Sequence, residues 1–433
     1  MGVGERIRSI RIEKKMSQLD LAGKAFSRNY LSQIERGLIK PSQRAISHCA
    51  MMLDVPAFFL INEGAELNDL IVRDLDDKYL QMKNAFMDNN YEQCVYLFVK
   101  IDDLGSFFSS KKLMSMTLWA TKSYFALQEY DNSMRLIESI NQKNQAVCKD
   151  EMEIGLELNL CKSNIYYNQG ELKKALNCRL EIEKKINEYD YDLDVSYRID
   201  NLSWIQVLYE FLDNTSEVKR YFDRIQELTK KNKVVTRGLL RSMTRYYRDA
   251  NISFQEKMSR YKILDSLARM IDDWDRVAII YCSKIELLFD AKDYDLIKEN
   301  LDELNSVIMQ IESPILVDYY KAYLSLFKSK LMTVYWRYIE AKKLLNTAIE
   351  FLEKNKTRPE ITLMIDCYFQ SAIMYNMKKE YDSSLLYLDM AETASKKYGL
   401  LNRLPKIYNL KTRILGKVNL DHIDEINEER NVN

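Results

Sequence analysis

What most constrains this 433-residue chain is how little it has with which to break a helix: 11 glycines and 5 prolines. Together they make 16 residues of 433, where average usage would give about 12%. Sheets joined by tight turns need glycine at positive φ and proline as punctuation, which argues against an all-β or doubly wound α/β fold. The chain must run helix after helix through short polar turns. With 47% hydrophobic residues it can bury a large core, and at about 100–200 residues per domain it should hold more than one unit. The expected class is all-α.

The segment MGVGERIRSIRIEKK is charged from Glu5 onward and lacks the apolar core of a secretion signal. No 18-residue uncharged apolar run occurs, so no membrane span is expected. Seven cysteines, Cys49, Cys94, Cys148, Cys161, Cys178, Cys282 and Cys367, are scattered and never spaced C-x-x-C. That is the usage of reduced thiols in a cytosolic protein, most of them filling the core. His48 and His422 are far apart and have no nearby cysteine or second histidine. Neither a zinc site nor a cofactor is expected.

Lys+Arg and Asp+Glu are equal at 64 each, but they are not evenly spread. Residues 1–63 carry ten basic side chains against six acidic ones, so a head of net charge +4 precedes a body of −4. Such asymmetry points to nucleic acid on one side and a different partner on the other.

The head parses into five short helices. The first, Glu5–Lys15, sets Ile7, Ile10 and Ile12 among basic residues. Ser17 caps the second, with Asp20 at capping-box spacing. Ser27 caps the third, which runs Arg28–Arg36 and stops at Gly37. Pro41-Ser42 opens a fourth, and Val55-Pro56 separates it from a last apolar turn, Ala57–Leu60. Only a sharp corner fits between the second and third helices, which is the helix-turn-helix arrangement.

A helix whose N-terminal end enters the major groove presents its first exposed side chains to base edges. Arg28 and Asn29, with Gln33 one turn later, occupy that face, while Leu31 and Ile34 point to the core. Arg suits guanine O6/N7 as a bidentate partner, and Asn and Gln suit adenine N6/N7. Ser17 and Gln18, at the start of the preceding helix, suit phosphate, as does Arg44. Ser27 and Ser32 complete the candidate DNA-binding set.

The run SQLDLAGKAFSRNYLSQIERGLIKPS resembles the Xre/Cro-type helix-turn-helix. It supplies Ser17-Gln18, Leu21-Ala22, Ser27, Tyr30-Leu31-Ser32, Ile34-Glu35, Gly37 and Pro41-Ser42 at the family's spacing. The turn Ala25-Phe26-Ser27 is one residue shorter than the common family form, as in peptide-responsive regulators of the PlcR and NprR type. By the same resemblance, Arg11 and Glu35 form a salt bridge tying the first helix to the third.

Beyond residue 68 a polar turn, an aromatic or aliphatic anchor and a new amphipathic helix recur. The anchors are Tyr91, Tyr130, Leu172, Val218, Phe254, Tyr294, Ile339 and Tyr381, spaced 36 to 46 residues apart. This is a paired-helix repeat of about 40 residues, longer than the 34 of the standard tetratricopeptide repeat. A small residue and a tyrosine three apart precede several anchors: Thr121/Tyr124, Ser163/Tyr166, Thr244/Tyr247 and Ala372/Tyr375. The expected fold is a five-helix head followed by a right-handed α-solenoid of about eight degenerate tetratricopeptide-like pairs, capped by 402–416. The expected domains are 1–62 for DNA binding, a linker at 63–70, a repeat domain at 71–420 for sensing and dimerisation, and an acidic tail at 421–433.

Stacked pairs line a concave groove with their first helices, and such a groove suits an extended peptide. Registering each repeat on its small-x-x-Tyr pair places Lys122, Asn164 and Arg245 in the groove. Tyr167, Asn168 and Arg241 join them from neighbouring positions, with Asn201 a weaker candidate. Asparagine donates to and accepts from a peptide backbone, and Lys or Arg holds a carboxylate.

The whole organisation resembles the RRNPP family of peptide-responsive regulators, NprR most of all. The resemblance implies a cytosolic, homodimeric transcriptional regulator that binds operator DNA and is switched by a short signalling peptide. The alternative it carries is a Rap-like body that sequesters or modulates a response regulator. No P-loop, G-x-S-x-G or HExxH points to an enzyme.

Overall fold

The computed structural model describes residues 2–23, 25–55, 57–61, 65–102, 110–143, 149–188, 194–354 and 357–431. Pro56 and Cys148 lie outside them, as does the side chain of His422. Among the described residues the chain is helical and has no strand.

The head comprises α1 (Val3–Glu13), α2 (Gln18–Ala22), α3 (Arg28–Glu35), α4 (Gln43–Met52) and α5 (Ala57–Ile61). Three of the five begin on a serine whose hydroxyl accepts a backbone N–H. Ser17 takes that of Asp20 at 3.1 Å, Ser27 that of Tyr30 at 3.2 Å and Ser42 that of Ala45 at 3.2 Å. Asp20 reciprocates by accepting the Ser17 N–H at 3.0 Å, closing the capping box. Ile7, Leu21, Leu31, Ile34, Cys49, Leu53 and Leu60 are buried together at the centre.

Eight helix pairs follow among the described residues. They are α6/α7 (Ala65–Met87, Tyr91–Asp102), α8/α9 (Ser110–Ala126, Tyr130–Lys143), α10/α11 (Lys149–Asn168, Leu172–Glu188) and α12/α13 (Val195–Phe211, Thr215–Asn232). The others are α14/α15 (Arg237–Asp249, Phe254–Met270), α16/α17 (Trp274–Ala291, Tyr294–Ile308), α18/α19 (Pro314–Val334, Tyr338–Glu353) and α20/α21 (Arg358–Met377, Tyr381–Lys397). A final helix, α22 (Leu404–Asn431), packs Ile407 and Ile414 onto the last pair. Helix α6 begins inside the stretch expected to be a linker, and α22 runs through the expected tail.

Two anchors shift. Helix α13 begins at Thr215, so Val218 lies a turn inside it, and α19 begins at Tyr338, leaving its neighbour Ile339 89% exposed. Counted from the true starts, the second helices recur every 39 to 44 residues. The repeat is therefore more regular than its sequence anchors.

The turns within pairs share one closure. A residue in the left-handed region stands two places before the second helix in seven of the eight: Asn89, Gln128, Gly170, Asp213, Lys292, Trp336 and Lys379. The next N–H reaches back to a carbonyl five residues earlier, as from Asn90 to Ala85 at 2.8 Å and from Glu380 to Tyr375 at 3.0 Å. The small residues of the small-x-x-Tyr pairs are buried, and a second-helix serine donates to two of them. Ser133 Oγ reaches the Thr121 carbonyl at 3.0 Å and Ser384 Oγ that of Ala372 at 2.7 Å.

The chain divides into two compact units, Met1–Ile165 and Tyr166–Asn433. In the second, buried apolar clusters follow one another from Ala175 and Ile199 through Leu264, Ile285 and Phe327 to Leu345, Leu388 and Ile414. Each pair covers the apolar face of the next, as a solenoid requires.

Candidate nucleic-acid interface and repeat groove

The head is braced by one buried ion pair. Arg11 donates from Nε and Nη2 to the two carboxylate oxygens of Glu35 at 2.6 and 2.9 Å, and from Nη1 to the Met16 carbonyl at 2.8 Å. Gln18 Nε2 adds a third donor to Glu35 at 2.8 Å. Glu35 is 2% exposed. Burial alone would raise its pKa, but the hydrogen bonds from Arg11 and Gln18 and the charge of Arg11 outweigh it and hold the carboxyl below its ordinary value. Helices α1 and α3 also touch through backbone: a Cβ on Gly4 would stand 1.8 Å from the Ile34 carbonyl oxygen.

On this frame the N-terminal end of α3 is open. Arg28, Asn29 and Gln33 are exposed and Ser32 half-buried, while Leu31 and Ile34 on the opposite side are fully buried. Ser17, Ser27 and Arg44 are also exposed. Of the residues assigned to phosphate, Gln18 commits its amide nitrogen to Glu35, and the Ser17 hydroxyl closes its own cap. What remains there for an anion is the start of α2. Phe26, in the short turn, packs edge-on against Tyr30 and His48 with ring centres 5.5 and 4.9 Å away.

The Helix-turn-helix family model matches residues 7–60. The head is a helix-turn-helix domain. It is similar to the immunity repressor protein of Bacillus phage phi105, with 41% identity over 64 residues, 14% of this chain and 44% of the repressor. The match thus spans less than half the length of that curated relative. Over the longer chain, aspartyl phosphate phosphatase F from Bacillus subtilis is similar in fold at 12% identity, covering 90% of this chain and 93% of that one with a TM-score of 0.53. NprR in complex with its cognate peptide NprX aligns at 14% identity over 77% of this chain and 99% of that one, TM-score 0.45. Head and repeats together carry both parts of the architecture by which the sequence resembles the RRNPP regulators.

The candidate groove residues divide between the two units. In the first, Lys122 on α8 pairs with Glu157 on α10 at 2.8 Å, and Asn164 is half-buried on α10. In the second, Tyr167, Arg241 and Arg245 are brought together by two aromatic rings that sequence reading did not single out. Tyr167 lies 5.6 Å from Trp204 and 5.9 Å from Phe211. Arg241 lies 4.8 Å over Trp204, and Arg245 lies 5.2 Å over Phe211. Asn168 is half-buried at the end of the same helix as Tyr167. Asn201 is a correction: it is 1% exposed and donates to the Arg179 carbonyl at 3.2 Å, inside the packing between layers.

Acidic partners on α12 meet the arginines of α14. Arg241 Nη1 binds Asp200 Oδ1 at 2.7 Å and Ser203 Oγ at 2.9 Å. Arg245 takes Glu210 bidentately at 2.8 and 2.7 Å, and Arg248 reaches the same carboxylate at 2.6 Å and Asp249 at 2.9 Å. Burial lowers the pKa of Arg241, against the pull of Asp200. At Arg248 burial acts the same way, but the hydrogen bonds and charges of Asp249 and Glu210 win and raise it. The i, i+4, i+7 spacing of the three arginines was the signal available for Arg248. Among the described residues no three His, Cys, Asp or Glu side chains converge as a metal would need. No described helix is long and apolar enough to cross a membrane.

Proposed function

We propose that the chain is a transcriptional regulator of the RRNPP type, reading operator DNA through its head and sensing a short peptide through its repeats. The observation that carries the DNA reading is the exposed trio Arg28, Asn29 and Gln33 at the free end of α3, on a head held rigid by Arg11, Glu35 and Gln18. Similarity of the head to a phage immunity repressor supports it. Arg28 is the guanine reader, and the start of α2 with Arg44 holds phosphate. Two heads on a homodimer match half-sites one or more helical turns apart, so a modest change in the repeats switches affinity. Neither the sensor nor the DNA reader performs catalysis.

Operator selection from random duplexes tests the reader. Arg28→Ala is expected to cost about 1–3 kcal/mol at one base pair. Uniform weakening over all sequences would make Arg28 a phosphate contact instead. For the sensor, operator affinity is compared with and without synthetic peptides of about five to ten residues encoded beside the gene. Equal affinity with every one of them ends the switch reading.

A second reading rests on the fold shared with aspartyl phosphate phosphatase F. In that reading the repeats of this chain sequester or modulate a response regulator, and capture of a purified response regulator by the full chain distinguishes it.

A further inference from the structure

Arg358 is the first residue of α20, and its side chain belongs to two distant parts of the second unit at once. It is 2% exposed and among the largest fully buried side chains of the chain. Its Nη1 donates to the Tyr398 carbonyl at 2.9 Å, at the end of α21. Its guanidinium carbon also lies 5.4 Å from the Tyr167 ring at the end of α10, and 5.6 Å from the Phe211 ring at the end of α12.

Backbone meets backbone at the same place. A Cβ on Gly170, in the turn after α10, would lie 3.0 Å from the Tyr398 carbonyl oxygen and 3.3 Å from Arg358 Nη1, and Gly170 sits at φ +83. A Cβ on Gly399 would lie 3.8 Å from the Gly170 carbonyl oxygen. Solenoid repeats ordinarily touch only their neighbours. Here the layer of α10 and α12 touches the layer of α20 and α21, with α14 to α19 between them in sequence. Within this unit, the stack closes on itself.

The seam is made unlike the interfaces between successive layers. Those bury extended apolar clusters, with arginine–ring contacts beside them between α12 and α14, whereas the seam is one guanidinium, two rings and two glycine-bearing turns. Arg358 Nε is buried without a hydrogen-bond partner. A desolvated cation over aromatic faces gains from the rings, while the unpaired N–H works against burial. Closure therefore balances opposed contributions, and its net gain is smaller than the contacts alone would give.

We propose that the second unit alternates between a ring closed at Arg358 and an open stack, and that this seam is the latch controlling access to the inner face. The latch stands independently of what the groove binds. Its coupling to a ligand rests on the peptide reading above, because Tyr167 serves both as a candidate groove residue and as the ring on which Arg358 closes. A ligand that takes the Tyr167 face displaces Arg358 and holds the ring open.

Spin labels at Lys173→Cys and Lys397→Cys, exposed positions on either side of the seam, report its state in the full chain without any ligand. The six described native cysteines are buried. The unaltered seam is expected to give a dominant short distance. Arg358→Ala should lower the closed-to-open ratio about tenfold and add a long, broad component. Gly170→Val wedges the same seam from the other side and should do likewise, with helical circular dichroism retained in both. A short distance unchanged in both variants, or a long distance already dominant without them, overturns the latch. Loss of the helical signal in both also overturns it, since the seam would then be part of the fold rather than a device upon it. Adding candidate peptides afterwards tests only the coupling: an unmoved distance there leaves the latch standing and removes the ligand's role in it.

Discussion

Two arginines, Arg11 half-buried in the head and Arg358 buried in the repeats, meet opposite treatment. Arg11 spends its donors on a bidentate carboxylate and a carbonyl, and Glu35 is itself completed by Gln18. Arg358 has one carbonyl, two rings and the Tyr167 hydroxyl, while its Nε has no partner. A fully connected buried network rigidifies, whereas a buried donor left without a partner carries a desolvation cost. The difference fits the proposed division of labour, in which the head is preorganised for DNA and the latch lies in the repeats.

The largest expected effect breaks the rigid side. Arg11→Ala strands the Glu35 carboxylate, 1% exposed at its side chain, and should cost the head about 3–5 kcal/mol. Denaturant unfolding followed by a probe in the head is expected to show that loss, while a probe in the repeats hardly shifts. Equal loss at both probes would mean that head and repeats unfold as one. Acid sharpens the same point. Because Glu35 has a lower pKa folded than unfolded, its contribution is fully present above the unfolded value near 4.5 and disappears as pH falls through the folded one. Glu35→Gln should flatten that part of the head's stability profile, and a profile as steep as before would place the acid sensitivity elsewhere.

The next effect compares close backbone approaches. Gly4→Ala drives a Cβ toward the Ile34 carbonyl at 1.8 Å, and Gly238→Ala drives one toward the Asp200 Cα at 2.7 Å. Each should cost about 1–3 kcal/mol by overpacking. The first should also weaken operator binding, since α1 bears on α3, the helix proposed to read DNA. The second should leave operator binding unchanged when no peptide is present. Titration of both variants against one selected operator checks this.

These examples also mark what was legible beforehand. The head could be read almost to the residue because its determinants are local: serine caps, Asp20 three places on, and Gly37 after α3. The repeats could be read as eight pairs because a turn interrupts the apolar pattern every 36 to 46 residues. Val218 and Ile339 were misplaced as anchors because an apolar residue near a turn need not be the one that packs; Tyr338 is. Asn201 read as a groove residue because its repeat lacks the small-x-x-Tyr pair that sets the register. The aromatic rings Trp204 and Phe211 and the seam at Arg358 were not legible. They depend on how far six layers curl, a sum of small rotations that no local pattern encodes. Gly170 was visible at a repeat turn, but to its left-handed φ the fold adds the close approach of the Tyr398 carbonyl, more than two hundred residues away.

The smallest effect returns to the scarcity of glycine. Six of the seven left-handed turn positions are filled by side-chain-bearing residues, Asn89, Gln128, Asp213, Lys292, Trp336 and Lys379. A left-handed conformation costs an ordinary L-residue about 1–2 kcal/mol, and glycine gives back about 0.4–1 kcal/mol of that through the greater entropy of the unfolded chain. Lys292→Gly and Lys379→Gly should therefore each stabilise the repeats by about 0.5–1 kcal/mol, read as a raised urea midpoint. Neither change touches the seam, so the labelled distance across it should not move. Asn89→Gly should gain less, because asparagine already tolerates this conformation better than lysine. If glycine destabilised all three turns instead, the lysine and asparagine side chains would be holding the turns by contacts of their own. The few glycines of this chain would then reflect what those side chains supply, and not merely a tolerance for their strain.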